Sequence, residues 1–417
     1  MMITEVITFA VMIWLAAGLL MQTWLTWRQD RFLARHGDNI PPAFAGTVTV
    51  AEQARTAAYG RARAWLKLFT NCWALLLALL WTLGGGLALL VTMIPSGWLG
   101  AVWLMAWFAL LHELLRAPPQ LLQIFVINAR FGFNRASPLL VLRDTVLRTL
   151  LSALLAALAS LILLPPVWLW GGFGWISSAL LAVLCGGILL WVQPRVIAPM
   201  FNRFRPLPAG ALRIRLEAMV ARCGVRAESM FVMDNSKRST LANAYFSGFG
   251  HNKRVVLFDT LLASLDDDEI EAVLAHELGH NRKGHLRRHY SVIAILLATG
   301  VILTGGAGHI GLLATLSLPA NSSTWLAAGY LLLPLFAWPL RPWLAARLRR
   351  YEFEADAYAA QHADGQALTS ALKKLLACNA APPRSDPLYT AFYASHPPFE
   401  QRFARLAHIE RTRSTAP

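Results

Sequence analysis

The sequence has little charge. Asp, Glu, Lys and Arg together make up 15% of its 417 residues, whereas a soluble domain contains about 25%. Hydrophobic residues account for 56% of the chain. This composition is far from that of a soluble domain, and it indicates a membrane protein.

Cysteines are also scarce. The chain has four, Cys72, Cys185, Cys223 and Cys378, and no two of them are spaced as Cys-x-x-Cys. Disulfide frameworks and Cys-rich metal sites both depend on closely spaced cysteines. The sequence therefore suggests neither kind of site, and four isolated thiols fit a protein that faces a reducing compartment.

Four long runs contain no Asp, Glu, Lys or Arg: residues 6–27, 68–111, 149–194 and 290–340. A helix of about 20 apolar residues crosses the bilayer core. The first run is long enough for one span, and we expect a retained anchor because no basic leader precedes it. Each of the others is about twice that length and has Pro or Gly near its middle, which predicts a hairpin. The total is about seven spans.

Basic residues lie between these runs and give the chain a net charge of +15. Loops rich in Lys and Arg stay in the cytoplasm. We therefore expect cytoplasmic basic loops, a cytoplasmic C-terminus and an outside N-terminus, in the inner membrane if the source is bacterial. Topology and attraction to anionic headgroups account for the basic excess, so the expected partner is the lipid bilayer and no nucleic acid.

Two stretches have a soluble composition, residues 195–289 and 341–417, and we expect them to form one cytosolic α+β domain. They follow two membrane segments: residues 1–194 with spans one to five, and residues 290–340 with spans six and seven. Strands are predicted at residues 230–233, 243–246 and 254–258. A helix is predicted from the acidic residues 266–268 to about Gly284.

That helix carries an HExxH motif within the segment VLAHELGHNRKGH, residues 273–285. Residues four apart lie one above the other on a helix, so His276 and His280 present two imidazoles from one face, as a zinc ion requires. Glu277 is turned about 100° away, where it can act as general base on the attacking water. The motif predicts a zinc-dependent hydrolase with one Zn²⁺ per chain.

Two further histidines, His285 and His289, share the four-residue spacing but lack the following glutamate. They lie about half a turn from the motif on a continuous helix and are accompanied by Arg287 and Arg288. We expect them to be ordinary residues of the surface or the headgroup region.

Catalytic zinc takes three protein ligands, so the motif needs a third. Three acidic residues, Glu352, Glu354 and Asp356, follow the last hydrophobic run on one predicted helix. Glu352 and Asp356 are four apart and share a face, whereas Glu354 points away. This favours Glu352 as ligand, with Asp356 accepting a hydrogen bond from a ligating histidine.

The chain resembles the CAAX prenyl protease type I family of integral-membrane zinc metalloendopeptidases, which are gluzincins. The resemblance covers nearly the whole chain. It is carried by the seven spans and by FGFNR (131–135), NAYF (243–246), NKRVVLFDT (252–260), HELGH (276–280), EFEAD (352–356) and SHPP (395–398). The chain departs from the family just before residue 131, where it has Asn128, Ala129 and Arg130 in place of the usual acidic residues.

The resemblance implies a multi-pass α-helical membrane protein with a chamber, capped by a zincin-like domain assembled from two chain segments. It assigns Glu352 as third zinc ligand and Asp356 as a supporting residue beside the ligands. His396 and Arg402 are expected to line the site and steady the oxyanion, and Asn243 is expected to lie beside the substrate. The implied substrates are peptides or lipidated proteins, cleaved near the C-terminus of a membrane-associated or prenylated CAAX chain, by a monomeric enzyme.

Two alternatives remain open at this point. One is a heat-shock type of membrane protease that performs quality control; its number of spans, about four, is lower than the number expected here. The other is a transporter with a protease-like lobe. Transporters usually place ionisable residues inside their spans, and the long runs of this chain are nearly free of them.

Overall fold

The computed structural model describes residues 2–414 apart from residues 38, 45, 47, 225–226, 248–252 and 317. Asn252, the first residue of the NKRVVLFDT stretch, therefore lies outside the described residues. The N-terminal half is built from helices: α1 (Met2–His36), α2 (Val50–Trp81), α3 (Gly86–Met93), α4 (Trp98–Leu115), α5 (Ala117–Leu121), α6 (Pro138–Trp170), α7 (Gly174–Val192) and α8 (Ala198–Phe201).

Five helices among the described residues are long and apolar enough to cross a membrane, or six when a bent pair, Ser322–Phe336 with Trp338–His362, counts as one span. One of the five is the stretch Pro138–Phe201, which folds back between α6 and α7. The hydroxyl of Ser178 on α7 donates to the carbonyl of Leu163 on α6 at 2.5 Å. With the bent pair counted as one span and the two arms of this hairpin counted separately, the described residues offer seven candidate spans, the number expected from the sequence.

The second part of the chain contains a four-stranded mixed sheet. Its elements are β1 (Phe204–Pro206), α9 (Ala211–Arg222), β2 (Ala227–Met233), β3 (Ala244–Ser247), β4 (Lys253–Phe258), α10 (Asp259–Leu262) and α11 (Asp267–Arg282). The strand order is β1-β2-β4-β3, with β2 and β4 parallel and the outer strands antiparallel to their neighbours. β3 is thus an edge strand. The predicted strands correspond to β2, β3 and β4, whereas no sequence pattern marks the three-residue β1.

The remaining helices comprise further candidate membrane spans, followed by helices that pack with the sheet. They are α12 (His285–His309), α13 (Ser322–Phe336), α14 (Arg341–His362), α15 (Gly365–Cys378), α16 (Pro387–Tyr393) and α17 (Phe399–Ser414). One hydrophobic core joins the sheet and α11 to the C-terminal helices; its members include Leu257, Leu274, Ala359 and Leu406. The fold is therefore a multi-pass helical membrane protein with an α+β domain assembled from two chain segments, as predicted.

Helix α11 is fixed at both ends. At its start, the side chain of Asp266 accepts a hydrogen bond from the Glu269 amide, and the Glu269 side chain accepts one from the Asp266 amide. This reciprocal cap satisfies two free donors of the first turn. At its end, Gly284 has a φ of +67°, a left-handed conformation that favours glycine. The chain changes direction there and begins α12.

Candidate active site

Helices α11 and α14 approach each other closely beside the HExxH motif. A Cβ atom on Gly279 would lie 3.0 Å from the Cα atom of Ala355. A side chain at position 279 would therefore push the two helices apart. The small residue allows α14 to bring Glu352 to the same place as His276 and His280.

The three side chains converge on one point. Nε2 of His276 and Nε2 of His280 are 3.2 Å apart. Oxygens of Glu352 lie 3.6 Å from the first of these nitrogens and 3.3 Å from the second. A tetrahedron with metal bonds of about 2.0 to 2.1 Å has edges of roughly 3.4 Å. The ligand atoms therefore have the spacing that a tetrahedral metal site requires.

A side-chain oxygen of Glu352 that makes no hydrogen bond also indicates a metal site. Its side chain is buried, and Oε2 has no hydrogen-bond partner among the described residues. A buried polar atom without a partner costs free energy. A cation bound at this point would remove the cost, so the residues present fit a metal ion.

Asp356 lies one turn beyond Glu352 and contacts both the motif and α17. Its Oδ1 is 2.9 Å from Nδ1 of His276. Its carboxylate also accepts two hydrogen bonds from Arg402, one from Nε at 2.8 Å and one from Nη2 at 2.6 Å. Asp356 is 1% exposed and Arg402 is 4% exposed. Asp356 is therefore held rigidly, as expected of a group that orients a histidine.

Arg402 directs two of its three guanidinium nitrogens at Asp356. Only Nη1 faces the ligand cluster, at 3.6 Å from Oε2 of Glu352. The family resemblance predicted that Arg402 lines the site. It did not predict the ion pair between Arg402 and Asp356, because no spacing rule links residue 402 to residue 356. The arginine thus anchors Asp356 and presents one donor towards the site.

The site carries an excess of negative charge. Three carboxylates, those of Glu277, Glu352 and Asp356, interact with a single guanidinium, that of Arg402. Burial lowers the pKa of His276, but the Asp356 and Glu352 carboxylates outweigh burial and raise it to about 10. The negative potential that holds a proton on His276 also favours a divalent cation.

Glu277 projects beside the ligands, next to the edge strand. Burial raises the pKa of its carboxyl group, whereas His276, His280 and the backbone of Phe246 on β3 act in the opposite direction. A raised pKa brings a carboxylate closer to the range in which it exchanges protons efficiently. The position and the environment of Glu277 are those of a general base.

The remaining predicted residues lie around this centre. His396 has an exposed side chain whose Nε2 is 3.5 Å from Oε1 of Glu352, and its Nδ1 is 2.9 Å from the Ser395 hydroxyl. Asn243 is exposed and directly precedes β3, where its Oδ1 accepts a hydrogen bond from the Ala244 amide. His396 therefore lies beside Glu352 at the edge of the site, and Asn243 lies at the start of the edge strand.

The expectation that His285 is an ordinary surface residue is wrong. His285 is 4% exposed, and its Nδ1 lies 2.9 Å from Nδ1 of His280. The reason is the break at Gly284: α11 ends, and the first residue of α12 is turned back onto the motif. A glycine directly before this histidine was the available signal.

Comparisons with known proteins cover both the membrane helices and the α+β domain. A family model described as Peptidase family M48 matches residues 206–410, and one described as CAAX prenyl protease N-terminal, five membrane helices, matches residues 29–203. A CAAX prenyl protease 1 homolog from Oryza sativa subsp. japonica is 33% identical over 313 residues, which are 69% of either chain. CAAX prenyl protease 1 from Saccharomyces cerevisiae is 32% identical over 329 residues, 72% of this chain and 70% of its own.

A solved structure shares the whole architecture. The crystal structure of S. mikatae Ste24p superposes with a TM-score of 0.83 at 25% sequence identity, covering 97% of this chain and 98% of that one. The membrane helices, the M48 match and the His-Glu cluster define an integral-membrane metalloendopeptidase. The chain belongs to the CAAX prenyl protease 1 family. Its N-terminal match argues against both alternatives left open by the sequence.

Proposed function

We propose that the chain is a zinc-dependent endopeptidase that cleaves prenylated CAAX-type substrates near their C-terminus. The observation that carries the proposal is the cluster of His276, His280 and Glu352 at tetrahedral spacing, next to the buried carboxylate of Glu277. Two imidazoles and one carboxylate are the ligand set of a catalytic zinc site that keeps a fourth position open.

In this proposal His276, His280 and Glu352 hold the zinc ion, one per chain. Zinc supplies Lewis acidity, which polarises a carbonyl oxygen and lowers the pKa of water. Glu277 takes a proton from the attacking water and returns it to the leaving amine. Asp356 keeps the ring of His276 in place through the contact at Nδ1, and Arg402 in turn keeps Asp356 in place.

His396 and Arg402 are proposed to stabilise the negative charge that develops on the scissile carbonyl. Both reach the edge of the cluster, since each places a nitrogen within 3.6 Å of a Glu352 oxygen. Donors aimed at a developing oxyanion are among the strongest contributors to catalysis. His396 is the more accessible of the two, and Arg402 is committed mainly to Asp356.

The substrate is proposed to bind as an added strand on β3. An extended peptide pairs with a free strand edge through main-chain hydrogen bonds. β3 has a strand partner, β4, on one side only among the described strands, and its residue Phe246 interacts with Glu277. A peptide on this edge would pass the general base, with Asn243 at one end of the strand.

The prenylated substrate class and the orientation are inferred from the relatives and the charge pattern. The relatives are named as CAAX prenyl proteases, and a membrane-spanning enzyme is suited to a substrate that is anchored by a lipid. The basic residues between the spans support a cytoplasmic catalytic domain and C-terminus, which we propose together with an inner-membrane location for a bacterial source. We propose a monomer.

The direct test compares a farnesylated CAAX peptide with an unlipidated copy. Purified protein is incubated with each peptide, with and without a chelator, and the cut is located by mass. We expect cleavage of the farnesylated peptide that the chelator abolishes and added zinc restores. Equal cleavage of both peptides would contradict the prenylated substrate class, and inactivity on both would contradict the endopeptidase.

A further inference from the structure

His280 directs its second ring nitrogen away from the ligand cluster and towards another histidine. Nδ1 of His280 lies 2.9 Å from Nδ1 of His285, and Nε2 of His285 lies 3.0 Å from Oε2 of Glu354. His280, His285 and Glu354 thus form a continuous hydrogen-bonded chain, which we call the His285 relay. It runs from the ligand cluster to the surface of α14.

The two ends of the His285 relay determine where its protons lie. Nε2 of His280 faces Glu352 and His276, so metal binding there leaves the proton of the neutral imidazole on Nδ1. Nδ1 of His285 must then accept the hydrogen bond that the Nδ1–H group of His280 donates. The proton of His285 lies on Nε2, which donates to the Glu354 carboxylate.

The middle residue of the relay is held by packing. The ring of His285 stacks on Tyr351 with centroids 4.3 Å apart and an angle of 13° between the planes. The Tyr351 hydroxyl accepts a hydrogen bond from Nη2 of Arg347 at 2.7 Å. A buried ring that is stacked and hydrogen-bonded at both nitrogens has one orientation, and it can impose an orientation on its neighbour.

The two ligand histidines are therefore supported in different ways. His276 contacts a carboxylate directly, that of Asp356. His280 reaches its carboxylate, Glu354, only through His285. Glu354 is itself fixed by two arginines, Arg288 at 3.4 Å and Arg350 at 3.1 Å. All three acidic residues of the EFEAD stretch are thus connected to the site by contacts, Glu354 through His285.

We propose that His285 is a positioning residue that fixes the ring and the tautomer of His280 for metal binding, with Glu354 as its carboxylate partner. The inference rests on the proposed function, because it requires a metal ion on His276, His280 and Glu352. Groups that orient a metal-ligating histidine contribute about 10- to 100-fold to metal affinity.

The test separates the hydrogen bond from the packing. His285→Phe keeps a ring to stack on Tyr351 but has no acceptor for His280. His285→Asn loses the ring, yet its Oδ1 can accept at about the place of the imidazole Nδ1. The readout is the zinc affinity of the purified full-length protein in detergent, measured by competition with a chromophoric chelator. Thermal stability of the metal-free protein is measured in parallel.

We expect His285→Phe to lose about 10- to 100-fold in zinc affinity with little change in the stability of the metal-free protein. His285→Asn should retain more of the affinity and lose more of the stability. Glu354→Ala, which removes the outer end of the relay and its ion pairs with Arg288 and Arg350, should weaken zinc binding less than His285→Phe. His289→Ala, on the same helix but outside the relay, is the control and should leave zinc affinity unchanged.

Unchanged zinc affinity in His285→Phe would overturn the proposal, as would an Asn variant that binds zinc more weakly than the Phe variant. Failure of the proposed function has a different signature. In that case the wild-type protein would not bind zinc at all, or would bind it and leave the farnesylated peptide uncut.

Discussion

Two regions of the molecule differ in which side chains they bury. The outer surface of the membrane helices exposes apolar side chains, whereas the region around α11 and α14 buries charged ones. Leu169 and Phe173, at the turn between α6 and α7, are 73% and 80% exposed. Where α11, α14 and α17 meet, by contrast, the charged residues Glu352, Asp356 and Arg402 are buried. Exposed apolar side chains are stable where lipid surrounds them, and buried charges are stable where each has a partner.

The difference shows how a water-using site can belong to a membrane protein. The spans provide apolar surface to the bilayer, and the ionisable groups of the cluster lie on helices of the α+β domain. Among the described residues, Oε2 of Glu352 lies in this cluster without a hydrogen-bond partner. A buried carboxylate oxygen without a hydrogen bond is a position at which a cation would be stabilising.

The largest expected effect is that of replacing Glu352. Glu352→Ala removes the third ligand, so we expect stoichiometric zinc and all chelator-sensitive peptidase activity to be lost. Zinc content is measured by atomic absorption after dialysis. Glu217→Ala, which breaks an exposed ion pair with Arg213, is the matched control. Retention of one zinc per chain in Glu352→Ala would assign the third ligand elsewhere.

The next largest effect is expected for Glu277→Gln, which should slow peptide cleavage without changing metal binding. Glu277→Gln has nearly the same shape but cannot take a proton, so turnover should fall by about 10²- to 10⁴-fold. Zinc content should stay the same, because Glu277 is not a ligand. Single-turnover cleavage of the farnesylated peptide provides the rate. A rate near that of the wild type would contradict the role of Glu277 as general base.

A third effect concerns the partner of a buried charge. Arg402→Leu leaves the Asp356 carboxylate buried without its two hydrogen bonds from the guanidinium. Breaking one side of a buried ion pair costs about 3 to 5 kcal/mol. The melting temperature of the metal-free protein in detergent should therefore fall clearly. An unchanged melting temperature would show that the buried pair contributes no net stability.

The smallest expected effect tests the contrast between the buried core of the α+β domain and the exposed surface of the membrane helices. One leucine is replaced by alanine in each region. Leu274→Ala, in the core of the α+β domain, should destabilise the protein by about 2 to 5 kcal/mol because a cavity is left. Leu169→Ala, at the exposed turn between α6 and α7, should change stability by less than about 0.5 kcal/mol. Unfolding of both variants is compared in the same lipid or detergent. Equal losses would mean that Leu169 is packed against protein rather than lipid.

Much of this arrangement could be predicted from the sequence because local periodicity determines it. The spacing of His276 and His280 fixes one helix face, and the spacing of Glu352 and Asp356 fixes another. The hairpins follow from run length and from central Pro and Gly residues. These features depend on neighbours in the sequence, and the structure contains them.

The features that could not be predicted depend on tertiary contacts. The pairing of Arg402 with Asp356 joins α17 to α14, and no sequence period connects them. His285 was misjudged because a continuous helix was extended past Gly284, whereas the left-handed turn there returns the chain to the motif. β1 is too short for an alternating pattern to be visible.

The most direct test of the central claim is zinc K-edge X-ray absorption on the zinc-loaded wild-type protein. The account predicts one zinc per chain with a first shell of nitrogen and oxygen only, at about 2.0 to 2.1 Å, including scattering from two imidazoles. A sulfur shell near 2.3 Å, a single imidazole or the absence of stoichiometric zinc would contradict a site built from His276, His280 and Glu352.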